Sequence, residues 1–219
     1  MDVGAEANMG PRAIATAPRV AWWRDALKRE RERLRVAFFA DPDTTRLLKG
    51  HSRIVDRVLV GVWRESRMPA DCALLAVGGY GRGRLFPASD IDVLVLLPPQ
   101  GADLTDAIQQ FLAALWDIGI EVAHATRTIA ECEQEMAADV TVRTSLLEHR
   151  RLAGAQRLAR EFATRFAATL DIKAFYSAKA LEQQQRHLKF QDAAYNLEPH
   201  VNESPGGRRD LQTVLSIAT

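Results

Sequence analysis

The chain has 219 residues, 47% hydrophobic and 26% charged, which is the composition of a soluble protein able to bury a core, read as one domain with a helical appendage. Its 29 basic and 28 acidic residues leave a net charge of +1, so no broad field favours nucleic acid or a membrane surface, and no stretch approaches the ~18 uninterrupted apolar residues of a membrane span. The N-terminus carries Asp2 and Glu6 with no apolar run, against a secretory signal, and two cysteines, Cys72 and Cys132, form neither a close metal pair nor a disulfide framework, which suits a reducing cytoplasm.

Residues 1–18 are rich in Ala, Gly and Pro without periodicity and read as a mobile tail. Val20 to Ala40 has helical spacing, with acidic–basic neighbours such as Glu30 and Arg33 or Lys28 and Glu32 on a solvated face. Its Trp22-Trp23 pair reads as packing surface rather than a base-stacking platform. A second helix from Thr44 carries one apolar stripe through Leu47, Leu48, Ile54, Val55, Val58, Leu59 and Trp63. Ala73–Val77 then reads as a buried strand, and Gly78-Gly-Tyr-Gly-Arg-Gly83 as a loop, because four glycines in six residues rule out a regular element throughout.

Ile91–Leu97 reads as a second strand, stopped by Pro98-Pro99. Thr105–Trp116 reads as a helix stopped by Gly119, and Ile120–Thr126 as a third strand. Thr128 and Glu131 have the spacing of a capping box. From there to about Asp192 the pattern reads as helical throughout: Cys132–Ala138, Val142–Leu152, Ala155–Leu170 and a long charged helix from Ile172. Residues 196–210 read as a structured loop, and a last helix from Leu211 has little to pack on, which points to one part of a longer protein.

Asp90-Ile-Asp92 opens a strand, where alternation turns both carboxylates to one side. Two like charges so placed need a counter-charge, and Mg²⁺ typically takes one or two carboxylates plus substrate phosphates. Gly78-Gly79 ends the preceding strand, where glycine lets a ligand approach the backbone. The run lacks the spacing of a dinucleotide fingerprint and the Gly-Lys-Ser/Thr of a P-loop.

Strand, Gly-Gly, about ten residues, then Asp-hydrophobic-Asp on a second strand resembles the signature of the DNA polymerase β-like nucleotidyltransferase superfamily. Gly78-Gly-Tyr-Gly-Arg82, Leu85-Phe-Pro87 and Ser89-Asp-Ile-Asp92 resemble, more narrowly, the N-terminal region of bacterial PII uridylyltransferase/uridylyl-removing enzymes. So do Leu115-Trp-Asp117, Glu121-Val122 with His124, Arg127-Thr128, Thr144-Ser-Leu-Leu-Glu148, and the late run Asn196-Leu-Glu-Pro199, Glu203-Ser-Pro-Gly-Gly207 and Arg209-Asp-Leu-Gln212. Arg84 and Arg208 depart from the family pattern, and neither falls on the presumed metal ligands.

The resemblance implies an α+β fold, a small mixed sheet packed with helices and followed by a helical region. It implies a cytoplasmic, Mg²⁺-dependent enzyme of nitrogen regulation that transfers UMP from UTP to a tyrosine of the PII signal protein, releasing pyrophosphate. Asp90, Asp92 and Glu121 would hold the metals, with Asp117 a weaker third candidate. Gly78, Gly79, Arg82 and Ser89 would meet the nucleotide. Arg82 reads equally as a solvated loop residue, Ser89 as a turn former, and His124 as either a site residue or a buried structural one. Glu148 and Arg151 read as a surface ion pair.

The expected division is a tail at 1–19, helices at 20–70, the catalytic core at 71–128, a helical region at 129–195 and a linker loop with the start of a helix at 196–219. No partner nucleic acid or membrane is expected. A protein adenylyltransferase of the same superfamily, or an inactive nucleotide-sensing module, is the alternative reading.

Overall fold

The computed structural model describes residues 19–100, 104–169, 171–189, 200, 201 and 203–218. The expected tail at 1–18 and the first part of the linker loop, 196–199, lie outside them. The order of elements is α1 (Val20–Ala40), α2 (Thr44–Glu65), β1 (Ala73–Ala76), α3 (Gly78–Gly81), β2 (Ile91–Leu97), α4 (Thr105–Ile118) and β3 (Val122–Thr128). There follow α5 (Ile129–Ala138), α6 (Val140–Leu147), β4 (Arg150–Gly154), α7 (Gln156–Ala168), α8 (Ile172–Lys189) and α9 (Arg208–Ala218).

The strands form one mixed sheet in the order β3-β2-β1-β4, with β1 antiparallel to β2 and β4, and β2 parallel to β3. The fold is the expected α+β arrangement. Alternation sends successive residues of β1 and β2 to opposite faces. Leu74, Val93 and Val95 join Val55, Leu59, Trp63, Phe111 and Leu115 beneath α2 and α4. Leu75, Leu94 and Leu96 join Cys132, Leu146 and Phe162 beneath α5, α6 and α7. Both faces being covered, β1 is apolar throughout and β2 is apolar but for Asp92.

Local signals set several boundaries where the sequence places them. The Asp43 carboxylate accepts the Arg46 amide at 2.9 Å and starts α2. Gly119, at φ 90°, ends α4 in the left-handed conformation that favours glycine. The Thr128–Glu131 capping box forms in both directions and starts α5. On α1, Glu30 pairs with Arg33 at 2.7 Å and with Arg57 of α2 at 3.0 Å on the solvated face, where screening by water keeps such contacts weak. Trp23 packs on Gly61, where a Cβ would stand 1.9 Å from the indole, while Trp22 is 49% exposed.

Four expectations need correction. The stretch read as the end of a helix, up to Leu152, contains strand β4, which pairs with β1. Two adjacent arginines hide its alternation, and its partner lies far back in the chain, so only tertiary pairing shows it. Gly78–Gly81 is not loop but a single helical turn. The third strand begins two residues later than its hydrophobic run. Glu148 pairs with Arg82 at 3.2 Å rather than with Arg151, whose guanidinium donates to the Gly154 carbonyl at 3.1 Å.

The α3 turn is held from two sides. Tyr80 is fully buried and its hydroxyl donates to Asp56 of α2 at 2.5 Å. Arg150 of β4 donates to both oxygens of the same carboxylate, at 2.8 and 3.0 Å. On the other side Gly81 lies against the backbone after α6: a Cβ there would stand 1.6 Å from the Glu148 carbonyl oxygen. No side chain fits without the two segments parting. Gly81→Ala is expected to destabilise the fold by about 1–3 kcal/mol or more through overpacking, read as a lower urea midpoint with an unchanged m-value.

Candidate active site

Where β1 ends and its antiparallel partner β2 begins, the diglycine turn and the Asp90-Ile-Asp92 segment meet. Ala76 pairs with Val93, and the Val77 amide donates to the Asp92 carbonyl at 3.1 Å. Gly78 follows at φ 56°, a conformation that side chains rarely adopt. A Cβ on it would stand 3.1 Å from Asp92 Oδ2 and 3.3 Å from Ser145 Oγ. Glycine at 78 therefore keeps open the space in front of the carboxylate.

That space is a cleft of about 500 Å³. One wall carries Gly78, Gly79, Arg82, Ser89, Asp90 and Asp92. A second is formed by Thr141, Thr144, Ser145 and Glu148 of α6 and its end, and a third by α8 and α9. Six of the seven residues expected at the site are thus brought together. Ser89 also shapes the approach to Asp90, its amide donating to the Phe86 carbonyl at 3.1 Å.

Glu121 stands apart from this cleft. It is exposed, one residue before β3, in a groove with Leu112, Trp116, Val122 and His124. Ile91 is opposite Val122 in the parallel register, so Asp90 and Glu121 come to the same end of neighbouring strands. His124 is exposed and is not the buried structural histidine weighed from the sequence. Asp117 is not among the residues lining the cleft, and its main-chain carbonyl accepts from Arg24 of α1 at 3.0 Å. No group of three or more His, Cys, Asp or Glu residues able to hold a metal is assembled among the described residues.

The electrostatics single out Asp92. Burial, and then the neighbouring charge of Asp90, hold its carboxyl above the ordinary carboxylate range. Among the described residues no ion pair reaches either aspartate. Two uncompensated carboxylates with hard oxygen donors, facing an open cleft, fit a divalent cation that would share its remaining positions with phosphate oxygens. Burial also raises Glu148, against the opposing charge and hydrogen bond of Arg82.

Sequence reasoning missed the α6 hydroxyls as cleft residues, although Thr144-Ser-Leu-Leu-Glu148 stood out as a motif. It also missed Lys179 and Arg186 of α8, which lie far from the motif and carry no local signal beyond sharing a helix face.

A family model described as "Nucleotidyltransferase domain" matches residues 64–153, and one described as "GlnD PII-uridylyltransferase" matches residues 174–219. A bifunctional uridylyltransferase/uridylyl-removing enzyme of Chromobacterium violaceum is 47% identical over 206 residues, covering 94% of this chain and 24% of that protein. Proteins of the same name from Aromatoleum aromaticum and Burkholderia orbicola are 49% and 52% identical, over 85% and 78% of this chain and 22% and 20% of theirs. The chain therefore spans no more than about a quarter of the length of these relatives. No helix among the described residues is long and apolar enough to cross a membrane.

The raised Asp92 carboxyl has a calculable sign. The folded protein holds this proton more tightly than the unfolded chain, so stability falls as pH rises from the ordinary carboxylate value, 3.8, through the raised one, and the deficit persists to neutrality. In EDTA, Asp92→Asn is therefore expected to melt above the unsubstituted protein at pH 7, with the difference shrinking toward pH 4. Melting curves across that range check it; an unchanged or lower melting temperature at pH 7 would contradict the assignment.

Proposed function

The chain belongs to the bifunctional uridylyltransferase/uridylyl-removing family, and from that premise we propose that it performs the transfer reaction, moving UMP from UTP to a tyrosine of the PII signal protein with release of pyrophosphate. The observation that carries the reading is the meeting of Gly78-Gly79 with Asp90 and Asp92 across the β1–β2 join, within a segment matching a nucleotidyltransferase domain. The proposed catalytic unit is 71–128 completed by β4, with 20–70 as its supporting helices, 129–195 as the rest of the helical layer and 196–219 as the linker. The tail is left at 1–19.

Asp90 and Asp92 are the residues that would hold Mg²⁺, with Glu121 as the third carboxylate from the adjoining strand end. When bound, the metal would supply charge neutralisation for the attacking and leaving oxygens. Gly78 and Gly79 give the phosphates close access to backbone amides, and Ser89 offers a hydroxyl beside Asp90. Arg82 is positioned by Glu148, and its planar guanidinium matches phosphate oxygens. Glu121, exposed at the strand end, would assist loss of the proton from an incoming tyrosine hydroxyl. A protein tyrosine can reach the site because the aspartates open onto a cleft rather than a closed cavity.

The test is metal-dependent transfer from labelled UTP, with ATP in parallel, onto purified PII protein. Label from UTP with Mg²⁺ alone supports the reading; label from ATP only replaces it with adenylyl transfer, and no label from either with folded protein removes it. In the same assay Asp92→Asn is expected to abolish transfer. Glu121→Gln should cost at least about a hundredfold, as for loss of a general base, and Asp117→Asn little. The reverse order would move the third carboxylate.

A further inference from the structure

Trp116, in the last turn of α4, is 75% exposed, and among the described residues no ring or cation stacks on its indole and no group hydrogen-bonds to it. It lines a groove of about 450 Å³ with Leu112, Ile120, Glu121, Val122 and His124. Leu112 and Val122 are half-buried there and carry the core beneath α4 out to the surface. The groove shares no residue with the cleft that holds Asp90 and Asp92. The sheet nevertheless joins the two: Ile91 is opposite Val122, so Glu121 and Asp90 come to the same end of adjoining strands. Strand β3 is also the outer strand. It pairs with β2 along all 7 of its residues, and among the described residues no strand pairs with its other edge. Ala123 and His124 on it are exposed.

A lone exposed apolar residue needs no explanation, but an unstacked tryptophan over an apolar groove, beside a strand-end carboxylate and an open strand edge, does. The lining holds no lysine or arginine and carries Glu121, so phosphate groups are repelled and a nucleotide is the wrong occupant. A polypeptide suits it. The open main-chain groups of an edge strand pair with an extended segment, the groove takes one of its alternate side chains, and tryptophan is among the residues that dominate such contacts. Continuity with the site identifies which polypeptide. A hydroxyl attacking a phosphorus held at Asp90 and Asp92 enters past Glu121, and the chain that carries it lies on the surface adjoining Glu121.

We propose that the Trp116 groove and the outer edge of β3 form the docking surface for the tyrosine-bearing segment of the acceptor protein. The segment lies extended beside β3, an apolar side chain near the tyrosine seats on Trp116, and the tyrosine passes Glu121 to the strand end where Asp90 stands. That the partner is the tyrosine acceptor rests on the transfer reading; that a polypeptide docks here rests on the groove and the strand edge.

The experiment uses the full chain. Hydrogen exchange with purified PII protein and no nucleotide is expected to slow the amides of 116–128, and Trp116→Ala to lose that protection at the same PII concentration. In the UTP transfer assay Trp116→Ala should raise the KM for PII at least about tenfold while kcat and the KM for UTP stay within about twofold of the parent. Trp116→Phe, which keeps an aromatic face, should restore most of the affinity. The exposed indole can be replaced without opening the core. An unchanged KM for PII, or no protection at 116–128, overturns the surface. So does protection that rises with the concentration of this chain alone, which would assign the groove to a second copy. Protection by PII that depends on Trp116, without transfer from UTP, would refute the proposed reaction and leave the surface standing; transfer with a KM for PII indifferent to Trp116 would do the opposite.

Discussion

A single backbone hydrogen bond, from the Val77 amide to the Asp92 carbonyl, joins the two halves of the site. It is the last rung of the β1–β2 ladder, and it fixes the diglycine turn beside the carboxylates regardless of side-chain choice. Everything else adjusts to that rung. Gly78 takes a left-handed conformation to leave it without blocking Asp92, and Tyr80 turns inward to be anchored by Asp56. The sheet supplies rigidity here because both of its faces are covered, so the rung cannot shift without disturbing two cores.

The same geometry concentrates unfavourable terms where the ligand would go. Asp92 carries a charge held by burial against its own preference, and among the described residues Arg186 Nε has no hydrogen-bond partner. Both residues line the cleft. Proteins tolerate such local costs where binding relieves them, and the surrounding apolar layers are extensive enough to bear them.

Much of this was legible in the sequence because the decisive signals were local. The Asp90-Ile-Asp92 alternation, the Thr128–Glu131 box and Gly119 each depend on neighbours within a few residues, and each appears in the structure as the pattern implies. What escaped depends on distant parts of the chain. Arg150–Gly154 becomes a strand because β1 offers an edge, not because its own residues favour extension. Arg82 finds Glu148 only once α6 is folded against α3, and the cations of α8 matter only because that helix lies over the cleft. Glu121 illustrates the converse: its hydrophobic neighbours mark a strand, yet the strand starts one residue later and leaves the carboxylate exposed at the edge.

The place of β4 bears on how the molecule is made. Strand β1 is central, yet one of its two partners is the last strand among the described residues. During synthesis β1 and β2 can pair early, but one edge of β1, apolar on both faces, stays open until Arg150–Gly154 emerges. Arg150 arrives on that same strand and completes the anchor on Asp56, and the Glu148 carbonyl seats on Gly81 just before it. The diglycine turn therefore becomes rigid only when the ribosome has passed this point. Until then the nascent chain carries an unprotected edge, the kind of surface that chaperones hold and that mispairs when they do not.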